Sequence, residues 1–254
     1  MRCRPDDYES LLEEKVARMR GLIADALPAT RAMEPDVFRS PKEHFRMRAN
    51  FNVWRDVPRS DDPDGMYYAM FDKQKEGKDG RGVPCEVKHY PHGTVKLNAL
   101  MPQWLDALRA HPVLAVSLFE ARFLTTLTDD AVIVVCYKKP LTAEWQTAAD
   151  AVAAQLGVKI VGRSRKLKLV AGGGETVEEI LTVHGKQVKY YQQEGAFSQP
   201  NAQVRPLARL EARAPRNLSP PMPSRPALPR PTPPHPTQHT QTKKGVPKNA
   251  RVVV

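Results

Sequence analysis

The chain has 254 residues, of which 41% are hydrophobic and 26% charged, with a formal net charge of +11 at pH 7. That length allows one or two domains with a sizeable core. No apolar run reaches transmembrane length, the N-terminus has no signal-peptide core, and Cys3, Cys85 and Cys136 lack paired spacing, which argues against a membrane span, a secretory leader and a disulfide scaffold.

The charge is unevenly placed. After Glu211 there is no acidic residue, and eight basic residues follow: Arg213, Arg216, Arg225, Arg230, Lys243, Lys244, Lys248 and Arg251. Removing them from +11 leaves only +3 for residues 1–211. The overall charge points to an anionic partner, but the case for the folded part must rest on specific residues.

In chain order, "DDYESLLEEKVARMRGLIADAL" predicts an amphipathic helix of about 18 residues. Asp6 or Asp7 serves as its N-cap, and Leu11, Leu12, Val16, Met19, Leu22 and Ile23 recur at helical period. "FRMRANFNVW" alternates, with Phe45, Met47, Ala49, Phe51 and Val53 on one side and Arg46, Arg48, Asn50, Asn52 and Trp54 on the other. This is the pattern of a half-buried strand with an arginine-bearing face. "MYYAMFD" reads as its partner strand after a turn-rich stretch.

A helix is expected from Val95 to Ala110, burying Leu97, Leu100, Met101, Trp104, Leu105 and Leu108. "LFEARFLTTLTDDAVIVVCYKK" predicts a hairpin turning at "TDD", with Cys136 as a buried small hydrophobe. "TAEWQTAADAVAAQL" predicts a helix capped by Thr142, and "VKIVGRSRKLKLV" and "ILTVHGKQVKYYQQ" supply further strands. The fold class is α+β, with helices on a mostly antiparallel sheet over residues 1–204.

Residues 205–254 are rich in proline and poor in apolar side chains. They are expected to be disordered, because too little surface can be buried to offset roughly 1–2 kcal/mol of backbone entropy per residue. "PALP" and "PTPP" suit an SH3 or WW groove, and equally a linker with no partner.

Three local patterns bear on chemistry. "LVAGGGETVEEI" imitates a phosphate loop but lacks the G-x-G-x-x-G spacing and the Walker lysine, so a glycine-rich hairpin loop is expected. His89 and His92 in "HYPHG" have no further ligand at metal-site spacing, and no metal is expected. Arg163, Arg165, Lys166 and Lys168 alternate in "GRSRKLK", a solvated face or a set of phosphate contacts.

"YESLLEEKVARM", "PDVFRSPKEHFRMRANFNVW", "FLTTL" and "FSQPNAQ" occur in this order. Together, over about residues 7 to 204, they resemble the N-terminal half of the bacterial-type tRNA (uracil-5-)-methyltransferase family. The resemblance implies S-adenosylmethionine-dependent methylation of the tRNA T-loop uridine; a cytoplasmic location is expected from the odd, sparse cysteine count and the lack of a leader or span. That chemistry needs a cysteine thiolate to add to C6 of uracil, a carboxylate base to remove the C5 proton, and a flipped-out base. By the same resemblance, Gln199 of "FSQPN", accompanied by Phe197 and Asn201, lies at the cofactor and target base. Phe119 matches an aromatic that inserts into the T-loop. Arg46 and Arg48 match the family's basic strand, Asn50 and Asn52 replace Glu and Arg there, and Lys138 stands where a histidine is common.

No cofactor-type glycine loop and no "SCNP"-like cysteine follow "FSQPNAQV". The family's Rossmann-like methyltransferase domain is therefore expected to be absent, and the chain inactive alone. A stand-alone tRNA T-arm-binding module is the alternative, and a partner-recruiting protein working through its tail is a third reading. Without the covering half, exposed apolar surface is expected near 190–204.

Overall fold

The computed structural model describes residues 5–26, 36–55, 65–72, 82–165, 167–183, 185–196 and 199–201. Two units divide at Ala214/Pro215. The second, and with it the predicted disorder and SH3 or WW motifs of the tail, lies outside the described residues, as do Cys3, Lys166 and Phe197.

Helix α1 (Tyr8–Ala26) follows a short 3₁₀ turn at Pro5–Asp7. It is followed by strands β1 (Arg48–Arg55), β2 (Met66–Asp72) and β3 (Val83–Glu86), helices α2 (Val95–Ala110) and α3 (Pro112–Ala115), and strands β4 (Leu118–Thr125) and β5 (Ala131–Tyr137). Helix α4 (Ala143–Leu156) leads to β6 (Lys159–Arg163), β7 (Lys168–Ala171), β8 (Thr176–Val183) and β9 (Lys186–Gln193). Seven strands form one sheet in the order β3-β2-β1-β4-β5-β6-β7, and β8 and β9 form a separate ribbon. Every pairing is antiparallel except β5 with β6. That parallel pair is bridged by α4, as a crossover between parallel neighbours requires.

The pleat divides the sheet into two faces. Ala49, Phe51, Tyr68, Phe123, Ile133, Val135 and Ile160 face α2 and α4 and build the main core with Leu97, Met101, Trp104, Trp145 and Val152. Thr94 caps α2 and Thr142 caps α4, each hydroxyl accepting from the backbone N–H three residues on. Gly162 on β6 is required by packing, because a Cβ there would stand 2.4 Å from Cη2 of Trp145. On the opposite face, Leu124, Val132, Val134 and Val161 form a smaller cluster with Val177 of the ribbon. The ribbon covers this end of the sheet, and the polar remainder stays open.

The structure departs from the sequence reading in three places. The glycines of "LVAGGGETVEEI" do not turn a hairpin, since β7 and β8 belong to different sheets. Gly172, at φ 71°, lies so near the end of α4 that a Cβ would meet Cβ of Ala153 at 2.9 Å and the Val158 carbonyl oxygen at 2.5 Å, whereas Gly173 and Gly174 stand in open space at positive φ. Helix α1 carries its apolar stripe, but none of its residues is buried, and Leu22 is 60% exposed. It is tied to the chain by the Arg39–Glu9 ion pair and by the Ser40 N–H donating to Tyr8 Oη at 3.0 Å. The third departure is β3, a four-residue strand with no alternating signal.

Candidate nucleic-acid interface

The register sets the open face row by row. Arg48 stands opposite Leu124, Asn50 opposite Arg122 and Asn52 opposite Glu120. Glu120 then faces Cys136, and Cys136 faces Arg163, so Asn52, Glu120, Cys136 and Arg163 form one polar row across four strands. Directly opposed residues share a face, and the alternation seen in "FRMRANFNVW" therefore delivers Arg48, Asn50 and Asn52 to the side away from α2.

Phe119 owes its position to an irregularity. Leu118 pairs with Tyr137 and Glu120 with Cys136, which leaves Phe119 as the extra residue of a β-bulge. Bulges re-aim a side chain that the pleat would otherwise direct into a neighbour. Ser117 enters the bulge at φ 60° and its carbonyl accepts the Lys138 N–H at 3.0 Å. The Phe119 ring is 37% exposed, whereas Phe123, four residues on, lies in the core. Phe119, Lys138 and Asn52 thus gather at one end of the β1–β4–β5 face.

The charges are partly committed. Arg122 donates to Glu120 at 2.8 Å, and this bond holds its guanidinium above its ordinary pKa. Arg163 is bound to Glu194, a carboxylate that is itself buried. Arg48 donates from Nη2 to the Ala196 carbonyl at 3.0 Å, and Arg46 from Nε to the Arg48 carbonyl at 3.0 Å. The side chains of Arg46 and Arg165 remain exposed. His92 is held below the usual histidine range by burial and by Arg46, so it adds no positive charge to this surface at neutral pH.

The backbone of Arg46 is fixed on several sides. Its N–H donates to His92 O at 2.7 Å, and its carbonyl accepts from Thr94 at 3.1 Å. It also forms bridges with Gly93 and Asn201. The Met47 N–H donates to Pro200 O at 2.8 Å. Gln199 is therefore carried to the edge of β1, where it is exposed. Sequence reading missed Glu194 and Glu120. Glu194 is a single acid among uncharged neighbours, and only the fold brings it to Arg163; Glu120 lies two residues from Arg122 on β4, so strand alternation alone places the two on one face.

A cavity of about 150 Å³ lies between this face and the turn after β9, lined by Arg48, Asn50, Arg122, Leu124, Glu194 and Gly195 among others. Among the described residues no group of three His, Cys, Asp or Glu side chains is placed to hold a metal, and no helix is long and apolar enough to cross a membrane. The apolar exposure expected near 190–204 is present at its start, at Val188, Tyr190 and Tyr191.

Cys136 lies on the polar row yet is 6% exposed, and burial pushes its thiol up. The thiolate is the reactive form. Cys136 is accordingly expected to resist iodoacetamide at pH 7.5, and its alkylation to rise only as pH climbs above the ordinary thiol range, whereas the less buried Cys85 reacts sooner. Peptide mass spectrometry resolves the two, and equal rates at pH 7.5 would contradict the burial argument.

The tRNA (Uracil-5-)-methyltransferase family model matches residues 7–209. The chain is 44% identical over 201 residues to a tRNA/tmRNA (uracil-C(5))-methyltransferase of Pseudomonas paraeruginosa, covering 79% of this chain and 51% of that protein. It is 44% identical over 200 residues to the Azotobacter vinelandii protein of the same name, with the same coverage. It thus spans about half the length of these relatives. Among solved structures it is similar to a Pyrococcus abyssi tRNA (uracil-54, C5)-methyltransferase determined with S-adenosyl-L-homocysteine, at a TM-score of 0.50 and 14% identity, covering 79% of this chain and 47% of that one. A bulged aromatic on an open arginine-bearing sheet, a "QPN" segment bonded to the start of β1 and this agreement over 203 consecutive residues lead to one statement: the chain belongs to the tRNA (uracil-5-)-methyltransferase family.

Proposed function

We propose that the open sheet face binds the T-arm of tRNA, and that residues 7–201 form the RNA-recognition part of a tRNA uracil-5-methyltransferase. The observation that carries this reading is Phe119, raised out of the pleat by the bulge beside Asn52 and Lys138. An aromatic ring in that setting stacks on an unpaired base. Arg46, Arg48, Lys138 and Arg165 supply the phosphate contacts, and Asn50 and Asn52 offer donors and acceptors to base edges.

S-adenosylmethionine is the methyl donor this family membership implies. The described residues do not make a site for it. Gln199 does not line the cavity against the open face, which at about 150 Å³ is below the roughly 300–1,000 Å³ of ligand pockets. No step of methyl transfer is assigned to these residues, and the cofactor belongs to the remainder of the family fold.

The test is fluorescence anisotropy of the 254-residue chain with a T-arm stem-loop and with a plain RNA duplex of equal length. The stem-loop is expected to bind more tightly, with log affinity falling linearly against log salt for both RNAs. Equal affinity for the two RNAs would overturn T-arm recognition.

A further inference from the structure

The segment after β9 is held at two places. At its start the Glu194 N–H donates to Glu175 O at 3.1 Å, the Ala196 N–H to Gln193 O at 3.2 Å, and the Ala196 carbonyl accepts Arg48 Nη2 at 3.0 Å. At its end Pro200 O accepts the Met47 N–H, and Asn201 bridges to Arg46. Gln199 lies between these anchors. The first anchor is built on a buried carboxylate. The Glu194 side chain is 6% exposed and its ion-pair partner is Arg163, from β6. A charge so far removed from water stays in place only while its counter-charge does. Arg163 Nε is itself buried with no hydrogen-bond partner, and although the side chain as a whole is 39% exposed, its Nη2 is committed to the Glu194 carboxylate.

We infer that Arg163 is a positioning residue: it clamps Glu194 to the open sheet and so fixes the strap made by Glu194–Ala196 and Gln199–Asn201, instead of contacting RNA phosphate. This deepens the T-arm reading and rests on it only for the binding half of the test below. Arg163 and Arg165, two residues apart in "GRSRKLK", thereby take different tasks, since Arg165 is exposed beyond the end of β6.

Two measurements on the full chain decide it. In hydrogen exchange, Arg163→Ala is expected to speed exchange of the Met47 and Ala196 amides about tenfold, with the amides of β5 unchanged, as local opening of the strap alone requires. The swap Arg163→Glu with Glu194→Arg is expected to restore protection. In anisotropy, Arg163→Ala is expected to leave the salt slope of T-arm binding at the wild-type value, whereas Arg46→Ala flattens it by up to about one unit.

Unchanged exchange at Met47 and Ala196 in Arg163→Ala overturns the inference, as does a slope lowered as much as by Arg46→Ala. Should Arg163→Ala loosen β5 as well, the swap decides, and failure to restore the strap amides refutes the clamp. If the wild-type chain shows no preference for the T-arm, the proposed function falls while the exchange result still stands or falls by itself.

Discussion

Replacing Trp145 by alanine is expected to lower folding stability by about 3–5 kcal/mol, the range for deleting a large buried aromatic. Trp145 is 2% exposed and lies over the bare Cα of Gly162. Its Nε1–H donates to Tyr137 Oη at 2.8 Å, and Tyr137 Oη in turn donates to the Leu114 carbonyl at 2.8 Å. The two rings meet edge to face at 6.0 Å. Removal therefore opens a cavity between α4 and the sheet and strips a buried hydroxyl of one partner. Domains of this kind are stable by about 5–15 kcal/mol in total, so this single change takes a large share. Urea unfolding followed by circular dichroism measures it, with the midpoint falling and the slope retained. A loss below about 1 kcal/mol would mean that α4 does not depend on this contact.

The second large effect is on binding. Phe119→Ala is expected to weaken T-arm affinity by roughly 1–3 kcal/mol, the contribution of one aromatic stacked on a base. The salt slope and the affinity for a plain duplex should not change, because no phosphate contact is lost. Stability should change little, since the ring is 37% exposed and belongs to neither core cluster. Anisotropy titrations at three salt concentrations, paired with a thermal melt, separate the two roles. A variant that melts far below wild type would make Phe119 a packing residue. One that folds and binds the T-arm as wild type does would remove it from the interface.

Much of this arrangement was legible in the chain. Alternation in "FRMRANFNVW" gave the arginine face of β1, and the 3.6-residue period in "VKLNALMPQWLDALRA" gave α2 with its buried Trp104. These signals are local, set by which side of one element meets apolar partners. What was not legible depends on pairing between distant segments. No local pattern distinguishes Phe119 from Phe123, both in "SLFEARFLTTL", because the bulge exists only in the register with β5. Glu194 could not be matched with Arg163, thirty-one positions earlier, without knowing that the turn after β9 returns to the sheet. The three glycines resembled a hairpin because spacing alone does not show that α4 lies against Gly172. The candidate site followed the same rule: the residue types were visible, whereas long-range commitments, such as Arg48 to the Ala196 carbonyl, were not.

The non-sequential place of β1 carries a consequence for the order of assembly. During synthesis from the N-terminus, β1 can pair with β2 early, but its other neighbour, β4, brings Leu124 to Arg48 only after a further seventy-six residues have been made. The bridge from Arg46 to Asn201 closes last, one hundred and fifty-five residues on. Closing a loop that long costs entropy that no local contact returns. A nascent chain halted before Asn201 would thus present β1 with its sheet neighbours in place but without the final strand contact. On the ribosome, maturation of this edge is timed by the emergence of "QPN", not by the helices that form the core.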